Sequence, residues 1–455
     1  MANVLRVKTD HAARKYEKIV LDYFGEGGVI VVVSDDEAFI KAMRFTIGQL
    51  KADARNFCRE FGGYDDAVTY MAQNAEKAQA PAAIFLERKI HRTTCIKTVK
   101  TLKKFYPEKA RVIVVSAEVS RDEIVLAHEV GADSFITKPI SANAIIEKAA
   151  FVIKPNNQLG VLIERCQALI EDGELSEAEK LVAKVLEIKP DSLKGNLLLG
   201  DIERRRGNLA QSEKYYMAAA KSERLYIEPL KKLADLSSEA GNLDKKLYFL
   251  NKLDTLSPLN FDRKVEIGEV YLEKDDPDKA REYFSQAKKV VMRISDDMVS
   301  ESLMEIARKI GDKDRELALQ YMDEAIEVKG ASLSKDDLWM FNNRGIILRR
   351  QGKWQEAVDN YKKALTLAPD DAGVYYNIGV AYAEGVAFDQ ALQFFDKAVE
   401  LSPEILKQAP SIPYNIATAA HRRGKITKAK EMLAAALTLD PNYEPARRLA
   451  STLRK

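Results

Sequence analysis

Five polar side chains stand where apolar, β-branched runs in the first third of the chain end. Asp35 and Asp36 follow GVIVVV (28–33), and Glu87 closes AAIFLE (82–87). Ser116 ends RVIVVSA (111–117) but for one residue, and Lys138, followed by Pro139, closes SFITKP (134–139). Carboxylates supply hard oxygen ligands for a divalent cation, and an ammonium supplies a point charge; phosphoryl transfer uses both. A second group is made of amides. Asn343, Asn377 and Asn415 each stand two residues after Phe341, Tyr375 and Pro413. Stacked along one surface, three amides can hydrogen-bond the backbone of an extended ligand, or simply a neighbouring carbonyl. The four histidines (His11, His91, His128, His421) and three cysteines (Cys58, Cys95, Cys166) have no metal-ligand spacing. They form no nucleophile–base pair either, so catalysis is not expected.

The elements that must position these groups alternate between 28 and 153. ARNFCREF (54–61) is a fifth, poorer strand candidate. Between the strands lie helical stretches, among them DEAFIKAMRFTIGQL, RTTCIKTVKTLKKFY and SANAIIEKAAFVI. Strand–helix alternation predicts a five-stranded, parallel, flavodoxin-like α/β sheet with helices on both faces. Ligand sites in such sheets lie at the carboxyl ends of the strands, where the polar residues stand. An acidic pair also caps helices, and Asp36 with Glu37 can serve only that purpose.

This stretch resembles the receiver domain of two-component response regulators. The resemblance implies that Asp35 and Asp36 hold Mg²⁺, that Glu87 takes the phosphoacceptor place, and that Ser116 and Lys138 contact the phosphoryl group. It places Phe135 at the aromatic switch position. It also implies two-component partners such as a histidine kinase. The intervals suit the family, with 29 residues from Glu87 to Ser116 and 22 from Ser116 to Lys138. The family's acceptor is Asp. Glu is longer by one methylene, and a misplacement near 1 Å costs about 100-fold in rate. Phosphorylation at Glu87 is therefore not expected; its carboxylate is expected beside Lys138 and Ser116, a partial imitation of the phosphorylated state.

The rest of the chain repeats itself. Val185, Ala219, Ala287, Ala325, Ala364, Ala398 and Ala436 recur at a step of 34 residues or a few more, with one step skipped between Ala219 and Ala287. A period of this size means stacked copies of a helical hairpin, each unable to bury its own apolar face. In LWMFNNRGIILRRQGKWQEAVDNYKKALTLAPDD (338–371), Gly345, Ala357 and Ala364 give close helix crossings beside Phe341 and Tyr361. Gly352 and Pro369 end the two helices. The pattern resembles the tetratricopeptide repeat (TPR), strongly over 338–405 and poorly over 227–260 and 299–332. It implies an all-α solenoid whose groove holds a protein or peptide partner.

Four segments are thus expected: a helical extension (1–26), a receiver-like domain (27–153), about eight helix pairs (159–443) and a capping helix (444–455). The extension carries an apolar stripe at Ala12, Tyr16, Ile19, Val20 and Phe24. That stripe suits the receiver-like domain, the first repeat, or a second copy in a homodimer. The linker IKPNNQLG (153–160) is short enough to couple its neighbours. Arginine clusters (204–206, 349–350, 422–423) end first helices, complementing the helix dipole or receiving an acidic partner.

Lys+Arg 71 against Asp+Glu 69 leaves +2, so no field selects nucleic acid. No run of about 18 apolar residues is present, so no membrane insertion is expected. The charged first segment and the odd, scattered cysteines suit a cytoplasmic protein. The expected function is a signalling adaptor whose receiver-like part regulates or orients a partner-binding repeat array. The alternative is a constitutive scaffold whose receiver-like part only docks or dimerises.

Overall fold

In the computed structural model, residues 2–77, 80–91, 93–107, 109–118, 120–153, 158–222, 227–294 and 298–453 are described. The side chains of His11 and Ala12 and the linker core 154–157 lie outside them. The chain divides into two units, 1–297 and 298–455.

In the first unit, the helix α1 (Ala2–Gly25) leads into the strand β1 (Ile30–Val33) and α2 (Glu37–Gln49). A short turn of helix α3 (Ala54–Phe57), β2 (Cys58–Phe61), α4 (Tyr64–Asn74) and β3 (Ala82–Glu87) follow. Then come two short strands, β4 (Lys89–Ile90) and β5 (Thr93–Thr94), and α5 (Ile96–Phe105). The α/β part ends with β6 (Ala110–Ser116), α6 (Arg121–Glu129), β7 (Ser134–Thr137) and α7 (Ala142–Ile153). Five strands form one parallel sheet in the order β2-β1-β3-β6-β7. The expected flavodoxin-like sheet is therefore present. Strands β1 and β3 bury every residue, because such apolar runs need helices on both faces. Val32, Phe85 and Ile113 pack with α2 and α7 on one face; Val31, Ile84 and Val112 pack with α4 and α5 on the other.

Two readings change. The segment 54–61 is not one strand: the Asp53 carboxylate accepts from the Arg55 amide at 3.0 Å and caps a helical turn, leaving only Cys58–Phe61 for the sheet edge. The β4–β5 ribbon that follows Glu87 had no sequence signal, since two-residue strands carry no periodicity. The extension α1 packs on the receiver-like domain. Ile19, Val20, Tyr23 and Phe24 join the core with α7, and Phe24 stacks on Phe57 at 4.5 Å. The Tyr23 hydroxyl lies 2.6 Å from the carbonyl oxygens of Val29 and Pro81.

Helix pairs follow in the same unit: α8 (Gln158–Glu171) with α9 (Leu175–Ile188), α10 (Leu193–Arg205) with α11 (Leu209–Ser222), α12 (Glu228–Glu239) with α13 (Leu243–Leu256), and α14 (Phe261–Glu273) with α15 (Pro277–Ile294). The second unit contains α16 (Val299–Ile310) with α17 (Arg315–Lys329), α18 (Leu338–Arg350) with α19 (Trp354–Leu367), α20 (Ala372–Glu384) with α21 (Phe388–Leu401), and α22 (Ser411–Arg422) with α23 (Ile426–Leu439); α24 (Glu444–Thr452) comes last. The small residues of the repeat have a direct cause. A Cβ at Gly200, Gly268, Gly345 or Gly379 would stand 2.3 to 2.6 Å from a ring atom of Tyr216, Phe284, Tyr361 or Phe395. In these four pairs the first helix thus lies against the aromatic ring of its partner.

Neighbouring repeats are joined by charge. Arg204 pairs with Glu239, and Arg349 donates to both oxygens of Glu384, at 2.9 and 2.6 Å. Arg423 reaches Asp389 at 2.6 Å. The arginine clusters therefore hold adjacent repeats in register; this use of their charge speaks against an open acidic-partner surface.

Candidate functional site

The carboxyl end of the sheet is built from the turns that leave β1, β3 and β7. Asp36 caps α2, its Oδ1 accepting from the amides of Ala38 (2.9 Å) and Phe39 (3.2 Å). Its other oxygen, Oδ2, accepts from the Lys138 ammonium at 2.7 Å. Glu87 is only 8% exposed, and its Oε2 also accepts from Lys138 at 2.7 Å. Ser34, the first residue after β1, donates to the same Oε2 at 2.9 Å and accepts from the Asp36 amide at 3.0 Å. The Lys138 nitrogen also lies 5.2 Å from the centroid of the Phe39 ring. One ammonium thus bridges two carboxylates beneath an aromatic face.

The electrostatics follow. The hydrogen bond from Lys138 holds the Asp36 carboxyl below its ordinary range, helped by the two helix amides against some desolvation. Burial works to lower the Lys138 pKa, but the bonds to Asp36 and Glu87 outweigh it, so the ammonium titrates above its usual value. The cluster is a closed ion triad at neutral pH.

The other residues named from the sequence are placed differently. Asp35 is exposed and turns to His91, with Nδ1 and Oδ2 3.5 Å apart. Ser116 does not join Glu87. Its hydroxyl accepts from Arg88 Nε at 3.0 Å and donates to the Glu118 carbonyl at 2.5 Å. The cause is the residue after Glu87: Arg88 has enough donors to take Ser116 and also Glu123, whose Oε1 lies 2.6 Å from Nη1. The expected imitation of a phosphoryl group is thus half made, through Lys138 and not Ser116. Phe135 is half-buried and lines a cavity of about 240 Å³ together with Leu259 and Ile294 of the repeats.

Mg²⁺ does not fit these residues. Asp36 has both oxygens committed, Asp35 points elsewhere, and Lys138 already supplies the positive charge between the carboxylates. Among the described residues no three His, Cys, Asp or Glu groups come together that could hold a metal ion.

Sequence reasoning missed Ser34, Arg88 and a second polar centre. Glu129, the last residue of α6, has a side chain only 1% exposed, yet it meets the guanidinium of Arg263 on α14. The Lys231 ammonium on α12 lies 3.7 Å from its carboxylate and donates to its backbone oxygen at 3.2 Å. Arg263 is itself buried and donates to the Leu253 carbonyl at 2.9 Å. Burial pushes its guanidinium down to about 10, still charged at neutral pH. Lys100 on α5 pairs with Asp262 beside it. Charged side chains of α5 and α6 therefore meet those of α12 and α14.

In the second unit, the Asn377 amide donates to Asn342 Oδ1 at 2.9 Å and the Asn415 amide to the Tyr376 hydroxyl at 2.7 Å. These two asparagines link successive first helices. The Asn343 side-chain amide has no hydrogen-bond partner among the described residues.

Comparison with known proteins agrees with this architecture. The family model of the response regulator receiver domain matches residues 30–150. Tetratricopeptide repeat models match 264–290, 334–384, 372–405 and 413–443. The chain therefore contains a receiver domain followed by TPR repeats. No curated protein matches it. Among solved structures, it is similar to a tetratricopeptide repeat protein from Parabacteroides merdae ATCC 43184 (18% identity, 57% of this chain and 98% of that one, TM-score 0.33). It is also similar to YrrB, a TPR protein with an unusual peptide-binding site (18% identity, 52% and 97%, TM-score 0.26). A third is MamA 41-end from Desulfovibrio magneticus RS-1 (13% identity, 48% and 97%, TM-score 0.28). No helix among the described residues is long and apolar enough to cross a membrane.

Proposed function

We propose that this chain is a signalling adaptor in which a receiver domain, held in one charge state, orients TPR repeats that bind a protein partner. The observation that carries the reading is the buried meeting of Glu129 with Arg263 and Lys231, which joins α6 of the receiver to two helices of the repeats. A charge that is 1% exposed is costly unless partnered, so this contact supports a fixed placement of the receiver against the third and fourth helix pairs. The closed triad supports the second element: the acceptor carboxylate is occupied by Lys138, so no phosphoryl signal from a histidine kinase is needed to fill the site. Neither domain type is in general catalytic.

The partner is read as an extended polypeptide in the groove of the second unit. Asn343 is the amide free to meet it, and Asn377 and Asn415 continue the row. Pairing of two copies through α5 and α6 would have to displace the chain's own repeats. One prediction follows from the amide row. Full-length protein captures a protein from a lysate of its own source, and the joint Asn343→Ala, Asn377→Ala and Asn415→Ala variant loses about tenfold or more of it, as for several missing backbone hydrogen bonds. Equal recovery by folded variant and wild type would remove the groove from the account.

The constitutive scaffold remains the second reading, favoured by the same closed triad. It differs in one outcome: breaking the α6 contact would leave partner recovery unchanged.

A further inference from the structure

We propose that Arg88 is a positioning residue that permanently tethers α6 to the acceptor end of the sheet, and so sets the pose in which α6 offers Glu129 to the repeats. The proposal rests on the reading of the receiver as the part that orients the repeats, and it names the route. Arg88 directly follows Glu87, and its own amide donates to the Val115 carbonyl at 2.6 Å, which fixes its backbone to β6. Its guanidinium then makes two bonds in different directions. One goes to Ser116 at the end of β6 (3.0 Å), the other to Glu123 in the first turn of α6 (2.6 Å).

Glu123 is not a casual surface acid. It belongs to the capping box of α6: its amide donates to Ser120 Oγ at 3.3 Å, and its Oε2 accepts from the Ser120 amide at 3.4 Å. Arg88 takes the other oxygen, Oε1. A planar guanidinium holding both a strand end and a helix cap fixes the angle at which the helix starts.

Helix α6 has 9 residues. At 1.5 Å per residue its far end lies roughly 13 Å away. There Glu129 enters the site formed by Arg263 and Lys231. The helix is therefore held by charge at both ends, and a buried ion pair tolerates misplacement poorly. A change in the start angle of α6 is felt at α12 and α14. Ser116, whose place in other receivers answers to a phosphoryl group, here answers to an arginine of the same chain.

The test is amide hydrogen exchange of the full chain. In Arg88→Gln, exchange is expected to rise roughly tenfold in 121–129 and also in 228–239 and 261–273, with β1 and β3 unchanged, because a charged hydrogen bond is lost while the sheet core is not touched. Faster exchange in α6 alone, or in no segment, overturns the proposal. If Arg88→Gln unfolds the receiver, Glu123→Gln removes only the helix side of the tether and carries the same expectation. The experiment needs no partner: repeats that bind nothing would end the adaptor reading and leave this result standing.

Discussion

Replacing Arg263 by Met is expected to destabilise the first unit by about 3–5 kcal/mol, the usual cost of leaving one member of a buried pair uncompensated. The carboxylate left behind is that of Glu129, whose side chain is 1% exposed. Lys231, at 3.7 Å, is too far to replace a guanidinium in contact. The double variant Arg263→Met, Glu129→Met should recover most of the loss, since two apolar side chains of similar size leave no charge to bury. Urea unfolding followed by circular dichroism reads both. A single-variant loss under about 1 kcal/mol is the range of an exposed pair and would show that the contact is not buried in solution.

Lys138→Met carries the second large effect, on the order of 2–3 kcal/mol, less than for a fully buried pair because Asp36 is partly exposed. Without the ammonium, Asp36 and Glu87 face each other across the site with no cation between them. The pH dependence has a defined sign. The Asp36 pKa is lowered in the folded chain, so its contribution is present above the ordinary value of 3.8 and is lost as pH falls through the folded value. The Lys138 pKa is raised, so its contribution is present below 10.5 and is lost as pH rises through the folded value. The stability gap between wild type and Lys138→Met should therefore be widest between these limits and narrow on both sides. Unfolding midpoints of the two proteins across pH measure it; a gap that does not change with pH would show that the triad does not form.

Much of this was legible in the sequence where a pattern had a packing cause. GVIVVV and AAIFLE could only be strands covered on both faces, and Gly345 with Tyr361 could only be a close helix crossing. The resemblance to receiver domains also implied that Glu87 and Lys138 meet, as they do at 2.7 Å. What stayed hidden was where each polar side chain turned. Ser116 was assigned to Glu87 by position, yet Arg88 competes for it through donors that no spacing reveals. Glu129, Lys231 and Arg263 carried no signal in the sequence, because periodicity marks apolar faces and is silent on a charge buried between two of them. The arginine clusters were read as complementing helix ends; their carboxylate partners, one repeat away, needed the stacking register to be seen. The acidic pair suggested a metal, but capping of α2 by Asp36 separates it from Asp35.

The central claim is that the receiver is complete without a phosphoryl group or Mg²⁺, because Lys138 already closes the site. Incubating the full chain with acetyl phosphate and Mg²⁺, then weighing the intact protein, tests this most directly, with Glu87→Asp measured alongside to show whether a shorter carboxylate restores the chemistry. The wild-type chain should keep its unmodified mass throughout. A stable phosphoryl adduct mapped to Glu87 would contradict the account.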